Sequence, residues 1–135
     1  MSILDINYFS EKVKDGRAKG LEFIEEHRSK LDKMIKDSTD ENREIYREVR
    51  DRSDRHTYRT LFYLDTERML KKGNTQNDII NDFKIRLNKE KSLLDKFKEL
   101  YSDEHPMMVG TPLSNKRVEI EELEKFMEEE IYTLI

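Results

Sequence analysis

The sequence predicts an all-α fold: an elongated antiparallel bundle of four long amphipathic helices, or five if the first is broken. Three observations carry that expectation. Apolar residues recur at steps of three and four through most of the chain, the spacing that lines one face of a helix. Only four glycines and two prolines punctuate the 135 residues, and they fall where helices should stop or bend. Charged residues make up 41% and hydrophobic ones 35%, which suits narrow helical seams better than a thick globular core.

The first segment, 6–36, spaces Ile6, Phe9, Val13, Gly16, Gly20, Phe23 or Ile24, His27, Leu31 and Met34 along one helical face. Gly16 and Gly20 lie four apart on that face, and each costs about 1 kcal/mol of helix propensity against Ala. The favoured reading is a bend or break there, separating a short first helix from a longer one. The alternative is close approach of another helix backbone over the small residues.

The second helix is expected over 39–72. Ser38 followed by Glu41 has the form of a capping box, and Lys71, Lys72 and Gly73 form a basic end with a glycine stop. At 1.5 Å per residue it is roughly 50 Å long. Ile45, Val49, His56 and Tyr63, with a neighbouring row of Tyr58, Leu61, Phe62 and Met69, supply its apolar faces. The apolar arc widens beyond Tyr58, so that end should be buried on more than one side.

The third helix is expected over 76–102, capped by Thr75 or Asn77. Ile80, Phe83, Leu87, Glu90, Leu94, Phe97 and Tyr101 form a heptad-like stripe, broadened by Ile79, Leu93 and Leu100. A loop over 103–114 holds both prolines. Ser114 is then expected to open a last helix, 115–134, with a narrow stripe of Ile120, Leu123, Met127, Ile131 and Leu134. Short turns at 36–39 and 73–75 make chain neighbours antiparallel. All of this reads as one domain, 1–135, whose thin seams call for a second copy or a partner.

Several function classes fall away on composition. With no cysteine, disulfides, thiolate catalysis and Cys-based metal sites are excluded. No basic leader precedes an apolar run at the N-terminus, and no stretch approaches the roughly 20 apolar residues of a membrane helix. The expectation is a soluble, cytoplasmic protein with no membrane contact. Net charge is −4, which offers no global attraction to nucleic acid.

Chemistry-bearing patterns are sparse. Three positions before His27, His56 and His105 stand Ile24, Ser53 and Ser102, so the Glu-x-x-His pairs of a di-iron bundle are absent. His27 and His56 read as hydrogen-bonded seam residues, and His105 as a loop residue. Thirty acidic residues guarantee close carboxylate pairs, but nothing marks one as desolvated. Gly110 to Lys116 lacks the second glycine and the preceding strand of a phosphate loop. No catalytic, cofactor or metal site is therefore expected.

Two charged features stand out instead. Arg43, Arg47, Arg50, Arg52, Arg55, Arg59 and Arg68 concentrate on the second helix, interleaved with Glu44, Glu48, Asp51 and Asp54. Glu48–Arg52 and Asp51–Arg55 have the favoured i,i+4 order, so a self-neutralised ladder is the plain reading and a binding face the sharper one. Residues 103–135 carry a net charge of −6 and residues 1–102 a net of +2. Glu121, Glu124 and Glu128 lie on that acidic last helix, a solvated face or a docking surface. Met107, Met108 and Val109, with Leu113, form an apolar knot flanked by the two prolines, which either tucks under the end of the bundle or adapts to a partner.

The expected function is a non-enzymatic helical interaction module: an adaptor, assembly factor or regulator of a larger complex, with a protein partner or a second copy. Partner-binding candidates are the arginines from Arg43 to Arg59, the two loop methionines and the three glutamates. The alternative is a nucleic-acid accessory factor, working through the arginine row or imitating phosphate with the last helix. The Lys/Asn/Ile/Glu bias is one shared by small helical proteins of viral or mobile-element origin.

Overall fold

A computed structural model describes residues 4–36, 39–103 and 111–132. Each helix starts where a side chain satisfies the first free backbone N–H groups. The first, α1 (Ile6–Lys36), opens with Asp5 accepting from the Asn7 amide at 3.0 Å. It continues without a break through Gly16 and Gly20, so the described residues form four helices and the expected division of the first helix in two is absent. Tertiary packing against the neighbouring helix outweighs the propensity cost of two glycines.

The cap of α2 (Asp40–Lys71) is Thr39, whose Oγ1 accepts from the Asn42 amide at 3.1 Å. The cap expected at Ser38 lies outside the described residues. Gly73 ends the helix in the left-handed region at φ 85°, where glycine avoids a Cβ penalty. The Gly73 and Asn74 amides fold back onto the Leu70 and Met69 carbonyls, closing the turn. Thr75 then caps α3 (Gln76–Leu100) in a reciprocal box with Asp78.

The last helix starts earlier than the sequence suggested. Thr111 is the cap of α4 (Pro112–Phe126), Pro112 takes the first turn and Ser114 returns the capping bond. Proline lacks the N–H that a first-turn position leaves unpaired, so it opens this helix instead of preceding it. From Met127 to Ile131 the helix loosens into a π turn.

Chain direction alternates from helix to helix, but backbone proximity does not follow chain order. The close approaches are α1 to α2, α2 to α4 and α4 to α3. The last helix thus wedges between α2 and α3, which meet through longer side chains. Arg86 Nη1 reaches Asp65 at 2.6 Å, and its guanidinium lies over the Phe62 ring.

The core sits at one end of the bundle. Phe9 and Val13 of α1, Phe62 and Tyr63 of α2, Ile79 and Phe83 of α3, and Leu123, Phe126, Met127 and Ile131 of the last helix are all buried there. Phe126, outside the expected stripe, is central: its ring lies 5.2–5.7 Å from those of Phe62, Tyr63 and Phe83. Such aromatic contacts add to the gain from burial alone. Expected seam residues at the other end are exposed instead, Leu100 among them. Among the described side chains from 24 to 61, Val49 is the only buried hydrophobic, so the apolar core thins along this part of the α1–α2 pair.

Candidate functional site

The arginine row and the acidic helix, read separately in the sequence, meet each other. Arg59 Nη2 donates to Glu129 Oε2 at 2.5 Å, with Glu122 and Glu130 at 3.6 and 3.7 Å. Its guanidinium also lies 5.4 Å from the centre of the Phe126 ring. The Arg59 side chain is 16% exposed and Glu122 11%, so these two are largely desolvated, while Glu129 stays open to solvent. Tyr8 donates to Glu130 Oε2 at 2.6 Å and Tyr63 to Glu130 Oε1 at 3.0 Å. Burial, reinforced by the bond to Glu130, pushes the Tyr8 hydroxyl far above its ordinary pKa. The π turn brings Glu129 and Glu130 together onto Arg59 while Met127 and Ile131 stay in the core.

One turn back, Arg55 is held by Asp51 at 2.9 Å and by Glu121 of α4 at 2.7 Å. A second network joins α3 to α4, where Lys116 bonds Glu90 and Glu119. Burial alone would lower the Lys116 pKa, but the two carboxylates outweigh it and leave the ammonium above its ordinary value. Sequence reading had placed Glu90 in an apolar stripe. A charged residue in such a stripe was the available signal for a buried ion pair.

The remaining candidates scatter. Arg43 pairs with Asp40, and Arg50 with Asp54. Arg47 is half-buried and makes no ion pair among the described residues. Arg52 does not pair with Glu48, since its guanidinium lies over the Phe23 ring at 5.6 Å. Glu124 pairs with Lys91 at 3.3 Å, and Glu128 is exposed. Met107, Met108 and His105 lie outside the described residues. Both other histidines bond to carbonyls, His27 to Phe23 and His56 to Gly16. Among the described residues no group of three His, Asp or Glu side chains could hold a metal ion, and no helix is long and apolar enough to cross a membrane.

A surface that sequence reading missed lies on the outer side of the α1–α2 pair. An open groove of about 460 Å³ has Gly16 and Gly20 in its floor, with Leu21, Ile24, Leu61 and Leu64 along its walls. Leu21 is 67% exposed, Ile24 48% and Leu61 43%. Arg17 is the only charged residue lining it. No protein-family model matches the chain, and no curated protein or solved structure matches it either.

Proposed function

We propose that this chain is a non-enzymatic helical protein-interaction module, an adaptor, assembly factor or regulator within a larger complex. The observation that carries this reading is the exposed aliphatic groove between α1 and α2. Three large aliphatic side chains lie open on a surface where charge otherwise dominates, and contiguous apolar patches of this kind mark interaction sites. An amphipathic helix laid along two helices, its aliphatic face in the groove, is the recognition mode such a shape supports. Arg17 in the wall, with exposed Lys14 and Arg68 a turn away, favours acidic flanks on that helix.

The cross-helix pairing weighs against the nucleic-acid alternative. Arg55 and Arg59 spend their forks on α4, while Glu121 and Glu129 are spent on those arginines. These four side chains compensate one another and leave no continuous basic or acidic face along α2 or α4 for a nucleic-acid strand or its target to read.

A photo-crosslinking amino acid in place of Leu61, used in cells of the source organism, tests the reading. A discrete adduct to another protein or to a second copy is expected, abolished by Ile24→Glu with helix content unchanged. A chain that is monomeric by light scattering and yields no adduct would overturn it.

A further inference from the structure

A second cleft, between α1, α2 and α4, has the opposite character. Lys19 of α1, Arg52 of α2 and Lys125 of α4 line about 410 Å³ of open space, together with Phe23 and His56. The other charged groups in its wall are already spoken for. Arg55 is held by Asp51 and Glu121, and Glu122 faces Arg59.

The three cations have no ion pair among the described residues, and the reasons are local. Lys125 has Glu121 and Glu129 one turn away on either side, but these are engaged by Arg55 and Arg59. Arg52 turns from Glu48 to lie over Phe23. Three like charges from three helices thus share one cleft in a chain whose net charge is −4. All three are solvent-exposed, and an anion seated among them would meet positive charge from three helices.

We propose that this cleft binds a compact phosphate-bearing polyanion. Arg52 offers a planar fork and the two lysines mobile point charges, a combination suited to several phosphate oxygens at once. His56 donates from Nε2 to the Gly16 carbonyl at 2.7 Å, which leaves Nδ1 free of that bond. The volume matches a small ligand, and the cations share one cleft instead of forming a continuous basic row along a helix.

The test is calorimetric titration of the full chain with sodium tripolyphosphate at fixed ionic strength, mapped by amide shifts in two-dimensional NMR. Saturable one-to-one binding is expected, with shifts around positions 19, 52 and 125. The variant Lys19→Gln/Arg52→Gln/Lys125→Gln should weaken it at least tenfold, since it removes three charge-assisted contacts. A control of equal charge change on α3, Lys89→Gln/Lys96→Gln/Lys98→Gln, should leave it within about twofold, as expected for screened surface charges on a helix that does not line the cleft.

Adenosine triphosphate as a parallel ligand separates sources: equal affinity means the phosphates alone are read, and tighter binding means the nucleoside is read too. Citrate binding more tightly than tripolyphosphate would overturn the phosphate assignment. So would no saturation at millimolar tripolyphosphate, or equal loss in both triple variants. A single-stranded oligonucleotide that binds with steep salt dependence while tripolyphosphate does not would replace the small-ligand site with a strand-binding one.

Discussion

The Thr60 side chain of α2 occupies the space into which a Cβ on Gly16 of α1 would project. A Cβ on Gly20 would meet only ordinary contact, with Cδ2 and Nε2 of His56 3.6 and 3.7 Å away. Two glycines of identical helical cost therefore have different reasons to be there.

The two should respond oppositely to alanine. Gly16→Ala forces Thr60 aside against the bond it donates to the His56 carbonyl, at an overpacking cost of about 1–3 kcal/mol. This exceeds or offsets the propensity gain of about 1 kcal/mol that Gly20→Ala should keep in full. Urea denaturation should show Gly16→Ala less stable than Gly20→Ala, with Thr60→Ala restoring the former. Equal stabilisation by both alanines would show that the helices are not in contact at Gly16.

Arg59→Ala removes the guanidinium that bonds Glu129 and faces Glu122 and Glu130. Breaking one side of a buried charged contact costs about 3–5 kcal/mol, and the exposure of Glu129 moves the expectation to about 2–3 kcal/mol. Arg55→Ala, with more exposed partners, should cost about 1 kcal/mol or less. Chemical denaturation of the two variants should preserve that order.

Phe126→Ala removes the ring that joins Phe62, Tyr63 and Phe83, and should cost about 3–5 kcal/mol. That is comparable with the whole stability of a marginal domain. Loss of the cooperative thermal transition by circular dichroism is the expected result, whereas Leu100→Ala at an exposed site should leave it nearly unchanged.

Alkaline pH should unfold this protein early. Burial raises the pKa of Tyr8, Tyr58 and Tyr63, and the two carboxylates on Lys116 raise it despite burial. A folded-state pKa above the unfolded one contributes stability that is complete below the ordinary value, near 10, and is lost as pH rises through the folded value. The melting temperature should hold between pH 7 and 9 and fall above about pH 10. Tyr8→Phe should make that fall shallower, and an unchanged slope would exclude Tyr8 as a contributor.

Much of the architecture was legible in the sequence because helix periodicity and stop signals are local properties. The four segments, the Thr75 cap, the glycine stop at Gly73 and the buried rows of Phe9, Val13, Phe83 and Leu123 all follow from spacing that any short window displays. The start of the last helix was misread because Ser114 and Thr111 both suit a cap, and only Pro112 at the first turn decides between them. Leu61 and Leu100 sit at apolar positions yet stay exposed, since periodicity names a face without saying what covers it.

By itself, then, the amino-acid order determined an all-α chain of amphipathic helices and the direction in which each follows the last. The tertiary structure alone decided that α4 wedges between α2 and α3, that Arg59 and Arg55 are paired with its glutamates, and that Lys19, Arg52 and Lys125 are left over together. The reason is range. A helix is specified by hydrogen bonds four residues apart, whereas Arg55 and Glu121 are 66 residues apart in sequence and Arg59 and Glu129 are 70 apart, and they meet only once the helices have been placed.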